Sequence, residues 1–89
     1  MGKVLTLRAG EDFFLDDDRY VVTQIFSAFT AILSRERDGT NFTLSTEKMT
    51  ELAPRIFARL GTRGQNDLAR VDVEAPREVQ IVPGADRRR

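Results

Sequence analysis

The chain has no cysteine and no histidine. The first absence removes disulfide staples and thiolate metal ligands. The second removes the commonest general base, the usual pH switch near neutrality and the commonest metal ligand. Tryptophan is missing too, so the interior has to be filled by six phenylalanines, one tyrosine and aliphatic side chains. Net charge is also lacking. Fourteen basic residues balance fourteen acidic ones, and no global field draws the molecule to nucleic acid or to a membrane surface. No stretch approaches the roughly 20 apolar residues of a membrane-spanning helix, and no basic segment with a long apolar run opens the chain. These features predict no membrane partner, no secretion signal, and a place in the cytoplasm or in a virion.

What remains is strand pattern. With 89 residues, of which 40% are hydrophobic, the chain has room for one domain whose core is small enough to gain from oligomerisation. From Leu68 to Glu74, side chains alternate: Leu68, Arg70, Asp72 and Glu74 on one face, Ala69, Val71 and Val73 on the other. Pro76 ends that strand, and Val79, Ile81 and Val82 resume one that Pro83-Gly84 stops. At the other end, Lys3 to Arg8 places Leu5 and Leu7 on one face and Val4, Thr6 and Arg8 on the other. Phe13-Phe14-Leu15 is a short strand stopped by Asp16-Asp17-Asp18. Arg19 to Ser27 and Phe29 to Glu36 follow as strands, and Asp38-Gly39 turns the chain into a returning strand from Asn41 to Leu44.

A short helix is predicted over residues 46–52, capped by Ser45 or Thr46, with Met49 and Leu52 three apart on one face and Pro54 as its stop. Arg55 to Leu60 fits either period; six residues between a proline and a glycine favour a strand. The reading is therefore an all-β, mostly antiparallel domain over residues 1–84, a small barrel or sandwich of about seven or eight strands, with residues 85–89 as a basic tail that has nothing to bury.

Two segments resemble the carbon storage regulator family, small dimeric β proteins that bind GGA-containing messenger RNA. The first is Leu5-Thr6-Leu7-Arg8-Ala9-Gly10-Glu11 with Asp16-Asp17 after the next strand; the second runs from Ala69 to Ile81 around Ala75-Pro76-Arg77-Glu78. The match covers residues 5–17 and 69–82 only. The resemblance implies a β fold and RNA contact through Thr6, Arg8, Arg70 and Arg77. Leu7 and Pro83 stand where the family has its two RNA-binding arginines, and 51 residues separate Asp17 from Ala69, more than the family uses.

The remaining candidates weigh differently. Asp16, Asp17 and Asp18 lack the loop glycine and closing glutamate of a calcium site, so a solvated hairpin is the simpler reading. Gly61-Thr62-Arg63-Gly64 resembles a backbone-clamping loop of another RNA-binding module, but without helices around it a flexible connection is expected. Arg55, Arg59, Arg63, Arg70 and Arg77 interleave with Asp67, Asp72, Glu74 and Glu78 as an ion-pair face. Phe13 and Phe14 are adjacent in one strand, so one of them is expected to face a partner. Together with the Arg87-Arg88-Arg89 tail they are the predicted partner-binding residues. No catalytic residue, metal ligand or cofactor is assigned. The expectation is a non-catalytic structural or assembly protein, for example a phage capsid decoration protein, that binds other protein subunits as an oligomer or on a larger assembly. The alternative is a divergent RNA-binding regulator of translation.

Overall fold

A computed structural model of the chain describes residues 2–62 and 65–88; Arg63, Gly64 and Arg89, named above, lie outside the described residues. The strands are β1 (Gly2–Leu7), β2 (Asp12–Leu15), β3 (Asp18–Ser27), β4 (Thr30–Arg35), β5 (Asn41–Ser45), β6 (Thr50–Ala53), β7 (Ile56–Leu60), β8 (Ala69–Glu74) and β9 (Ile81–Pro83). They form two antiparallel sheets, one in the order β1-β8-β7-β6 and one in the order β5-β4-β3-β2-β9. The expected all-β class is what the chain adopts.

Alternation explains the packing. In β7 the inward set is Ile56, Ala58 and Leu60, and in β8 it is Ala69, Val71 and Val73, all buried. β1 adds Leu5 and Leu7 to the same face through the register Leu5↔Val71 and Leu7↔Ala69. The other sheet answers with Phe13, Leu15, Tyr20, Val22, Ala31, Leu33 and Leu44. Phe13 and Tyr20 are cross-strand partners with stacked rings 5.4 Å apart, a pairing that holds β2 to β3 beyond its ladder bonds.

The chain passes between sheets at three places: residues 8–11, residues 46–49 and residues 75–80. At the first, Gly10 takes a φ of +91°, a conformation that glycine adopts without strain, and its N–H donates to the Val22 carbonyl at 2.7 Å. At the third, the Ala75-Pro76 corner moves the chain from β8 in one sheet to β9 in the other, so the two strand patterns read from Leu68 to Val82 never pair with each other.

The structure corrects two expectations. Residues 46–52 are not a helix: Thr50–Ala53 is strand β6, paired with β7 across a tight turn at Pro54-Arg55. Met49 and Leu52 sit three apart, which mimics a helical face, but alternation along β6, set by Thr50 opposite the buried Ala58, turns Leu52 inward and leaves Met49 exposed, and a bulge at Leu52 brings Ala53 opposite Ile56. The signal expected to cap a helix closes a turn instead, with Ser45 Oγ accepting from the Glu47 N–H. The second correction is the place of the short helix, which lies at the C-terminal end while residues 85–88 stay exposed as expected. Gly84–Arg87 is a single helical turn, α1, and Gly84 is buried. The Asp-Gly hairpin between β4 and β5 is present as a five-residue loop in which Gly39 alone of the pair has positive φ.

Arg35 ties the two sheets together. Its Nη1 donates to the Leu52 carbonyl of β6 at 2.7 Å, Nε and Nη2 donate to the Asp38 carboxylate at 3.1 and 2.8 Å, and the guanidinium lies 5.2 Å from the Phe42 ring centroid. This pairing holds the Asp38 carboxyl below the usual carboxylate range. Replacing Arg35 by Ala strands the Leu52 carbonyl next to the core and removes the charge-assisted bonds. The expected loss is about 2 kcal/mol, read as a lower urea midpoint at unchanged slope.

Candidate functional site

Asp12 is the one buried charge among the described residues, with 2% of its surface exposed. Burying a carboxylate is costly unless it is paired, and here it is paired twice. Arg88 donates Nη1 to Oδ2 at 2.8 Å and Nη2 to Oδ1 at 3.0 Å, the bidentate geometry that suits a guanidinium. Arg19 adds Nε to Oδ2 at 2.6 Å and passes its Nη1 to Glu36. The Arg88 bonds are the main reason that the Asp12 pKa falls from its ordinary 3.8 to about 2; burial opposes them and Arg19 reinforces them.

Gly84 is what allows Arg88 to reach. A Cβ on Gly84 would lie 1.9 Å from Asp12 Oδ1 and 2.5 Å from its Cγ, so only a residue without a side chain lets the first turn of α1 approach the carboxylate. Arg87, on the same turn, donates Nη1 to the Asp16 carbonyl at 2.6 Å and Nη2 to Asp17 Oδ1 at 2.9 Å, and its guanidinium stands 4.4 Å from the Phe14 ring centroid. The Asp16 carboxylate accepts from the Gln80 N–H at 2.9 Å, fastening the residues before β9. Two of the three aspartates of the acidic triplet thus serve as anchors for residues 80–88.

The partner-binding set expected from sequence is therefore rearranged. Phe13 is fully buried and packed on Tyr20, so it is core and not a docking residue. Phe14 is half-buried, and Arg87 covers its ring. Arg87 and Arg88 spend their guanidiniums on the chain's own aspartates, and Arg89 is outside the described residues.

Of the residues attached to the RNA reading, Thr6 and Arg70 are direct cross-strand partners, with Thr6 exposed and Arg70 half-buried on the same outward face. Arg8 lies just past β1 at the same end of the sheet, and Arg77 lies at the opposite end, beyond Glu74. Asp72 and Glu74 occupy that outward face as well, and Asp72 pairs loosely with Arg59 at 3.9 Å.

A feature that sequence reading missed is the tip of the β3–β4 hairpin. The pair Ser27↔Thr30 encloses a two-residue turn, Ala28-Phe29, and Phe26 and Phe29 are 55% and 64% exposed. The register shifts first between Val22 and Gln24, which reverses the alternation so that Ile25 packs against the core and Phe26 faces outward, and again between Ile25 and Ser27, where Phe26 is the extra residue of a bulge. The tip is held in shape: the Phe29 N–H donates to Ser27 Oγ at 3.1 Å, and the Ala28 N–H donates to Asn66 Oδ1 at 3.3 Å. The available signal was the Phe-Ser-Ala-Phe order, in which two large aromatics flank a turn without glycine, proline or asparagine.

At the other end of the molecule, the free edges of β1 and β9 border a groove of about 380 Å³ lined by Gly2, Lys3, Arg77, Val79, Ile81 and Val82, with Gln80 on its rim. Lys3 Nζ donates across it to the Ile81 carbonyl at 3.2 Å. Among the described residues no cluster of acidic side chains is arranged to hold a metal ion, and no helix is long and apolar enough to cross a membrane.

Comparison of the chain with protein-family models, with curated proteins and with solved structures finds no match to any of them.

The Asp12 clamp has a definite pH signature. The folded pKa is depressed, so the stabilisation is complete above the ordinary value near 3.8 and is lost as pH falls toward about 2. Urea unfolding of the wild type should lose about 2 kcal/mol through this group between pH 5 and 2. Arg88→Ala should shrink that loss and move it to higher pH. A second substitution tests the close approach: Gly84→Ala should cost about 2 kcal/mol at pH 7, read as a lowered thermal midpoint.

Proposed function

We propose that this protein is a non-catalytic assembly module that docks on other protein subunits through the aromatic tip of the β3–β4 hairpin. The carrying observation is that tip, where Phe26 and Phe29, on either side of the Ser27-Ala28 corner, are both exposed. Exposed aromatics held on a rigid support are the kind of anchor that protein interfaces use, because they bury much area at little cost in side-chain entropy. The unpaired edges of β1 and β9 support the same reading, since free strand edges invite further pairing. A capsid decoration protein is one kind of protein built to this plan.

A second reading, an RNA-binding regulator of the carbon storage regulator kind, is favoured by the pairing of Thr6 with Arg70, an arginine that has no carboxylate partner among the described residues. Against it stands the acidic company of Asp72 and Glu74 on the same face.

Two measurements separate the readings. With p-benzoylphenylalanine in place of Phe29, irradiation in extract of the source cells should yield protein adducts that Phe26→Ser reduces at least tenfold; an absence of protein adducts overturns the assembly reading. Titration with a GGA hairpin RNA at two salt concentrations should show no submicromolar affinity. Submicromolar, salt-sensitive binding that Arg70→Ala weakens would transfer the assignment to RNA.

A further inference from the structure

The hairpin tip and the groove lie at opposite poles of the molecule. β1 runs from Gly2 and Lys3 at the groove to Leu7, and β8 runs back from Ala69 to Glu74. Just before Ala69, Asn66 holds the hairpin tip through Ala28. In the other sheet, β3 starts beside the Asp16-Asp17 turn, next to Ile81, and extends ten residues to the tip. At about 3.3 Å per residue that strand alone spans roughly 30 Å, and the longest dimension of the molecule is 30 Å. One pole presents two exposed aromatics on a hairpin tip and the other an open groove with an apolar floor, crossed by the Lys3 side chain.

The two are matched in size and charge. A cavity of about 150 Å³ accommodates one benzene ring, so two phenyl rings require about 300 Å³, and the groove offers about 380 Å³. Its floor is Val79, Ile81 and Val82, all half-buried. Lys3 and Arg77 flank it, and neither has a carboxylate partner among the described residues. Beside the tip, next to Asn66, stands Asp67, exposed and likewise without a cationic partner among the described residues. A tip entering a groove thus brings the Asp67 carboxylate toward Lys3 and Arg77, two cations with no carboxylate partner among the described residues.

Resting on the assembly reading above, we propose that the subunit docked by the Phe26–Phe29 tip is a second copy of this chain, which receives the tip in its β1–β9 groove. Such a contact is heterologous: each copy uses one pole as donor and the other as acceptor, so association continues beyond the dimer into a ring or an open filament. It joins like copies head to tail, with the long axes of successive molecules following one another.

The test uses the purified full chain and two variants that leave the core untouched. Phe26→Ser with Phe29→Ser removes the knob; Gln80→Trp, at an exposed rim position, fills the groove. In sedimentation velocity from micromolar to millimolar concentration, the wild type should pass the dimer mass. Each variant alone should be monomeric, with self-association weakened at least tenfold. An equimolar mixture of the two should form a dimer and stop there, because only one working tip and one working groove remain. A crosslinker placed at Phe29 of the purified protein should label residues 79–82 of the neighbouring copy, a readout that does not depend on either variant. Persistent association of Gln80→Trp, a mixture that stays monomeric, or a wild type that stays monomeric throughout would overturn the head-to-tail inference. The assembly reading would stand in those cases if the crosslink at position 29 in cell extract still captured another protein, and would fall with it if none were captured.

Discussion

One buried carboxylate governs how half of this molecule is put together. Asp12 sits at the start of β2 where a charge is costly, and two guanidiniums, one from the neighbouring strand β3 and one from the far end of the chain, make the position tolerable. Bringing Arg88 there requires the backbone of α1 to come within a Cβ's width of the carboxylate, which explains a glycine at position 84. With α1 held, the preceding residues are held too: Pro83, Val82 and Ile81 complete the second sheet against β2 as β9. β9 is in turn one wall of the apolar groove. A single electrostatic requirement at residue 12 therefore sets the shape of a surface lined by residues 79–82.

Alternation in the sequence is enough to read the strands that bury one face. In β1, β7 and β8 the inward residues are the same leucines, valines, alanines and isoleucine that the period of two selects. It fails where spacing is ambiguous or where a distant partner decides. The separation of Met49 and Leu52 satisfies a helix as well as a bulged strand, and only the need of β7 for a neighbour resolves it. The pair Phe13-Phe14 announces that one ring points inward, but which one depends on the register with Tyr20. Nothing local to the tail indicates that Gly84 is buried, because its cause is an aspartate at the other end of the sequence. Bulges are the hardest to foresee: the dense apolar run of β3 reads as core, and it takes the shift between Val22 and Gln24 to bring Ile25 against the core and leave Phe26 facing outward.

The distribution of charge follows from the same economy. Many arginines in this chain are committed to internal bonds: Arg19 and Arg88 to Asp12, Arg35 to Asp38 and the Leu52 carbonyl, Arg87 to Asp16 and Asp17. Planar forks suit such fixed geometries better than flexible ammonium groups do. Four of the twelve arginines, Arg19, Arg35, Arg87 and Arg88, thus cross-link the fold itself. Among the described residues, Lys3, Arg8, Lys48, Arg70 and Arg77 are left without a carboxylate partner, and two of these five, Lys3 and Arg77, border the groove.

The strand order also dictates when the fold can form. β1 has no neighbour until β8 is available, and the outer edge of β2 waits for β9, so neither sheet is complete while residues 69–88 are still missing. The β3–β4–β5 meander can close early on its own short loops, whereas the first strand must stay unpaired for some sixty residues of synthesis. During synthesis the β3–β4 hairpin with its aromatic tip can therefore take shape early, while the walls of the groove, which need both β1 held by β8 and β9 held by β2, come together last.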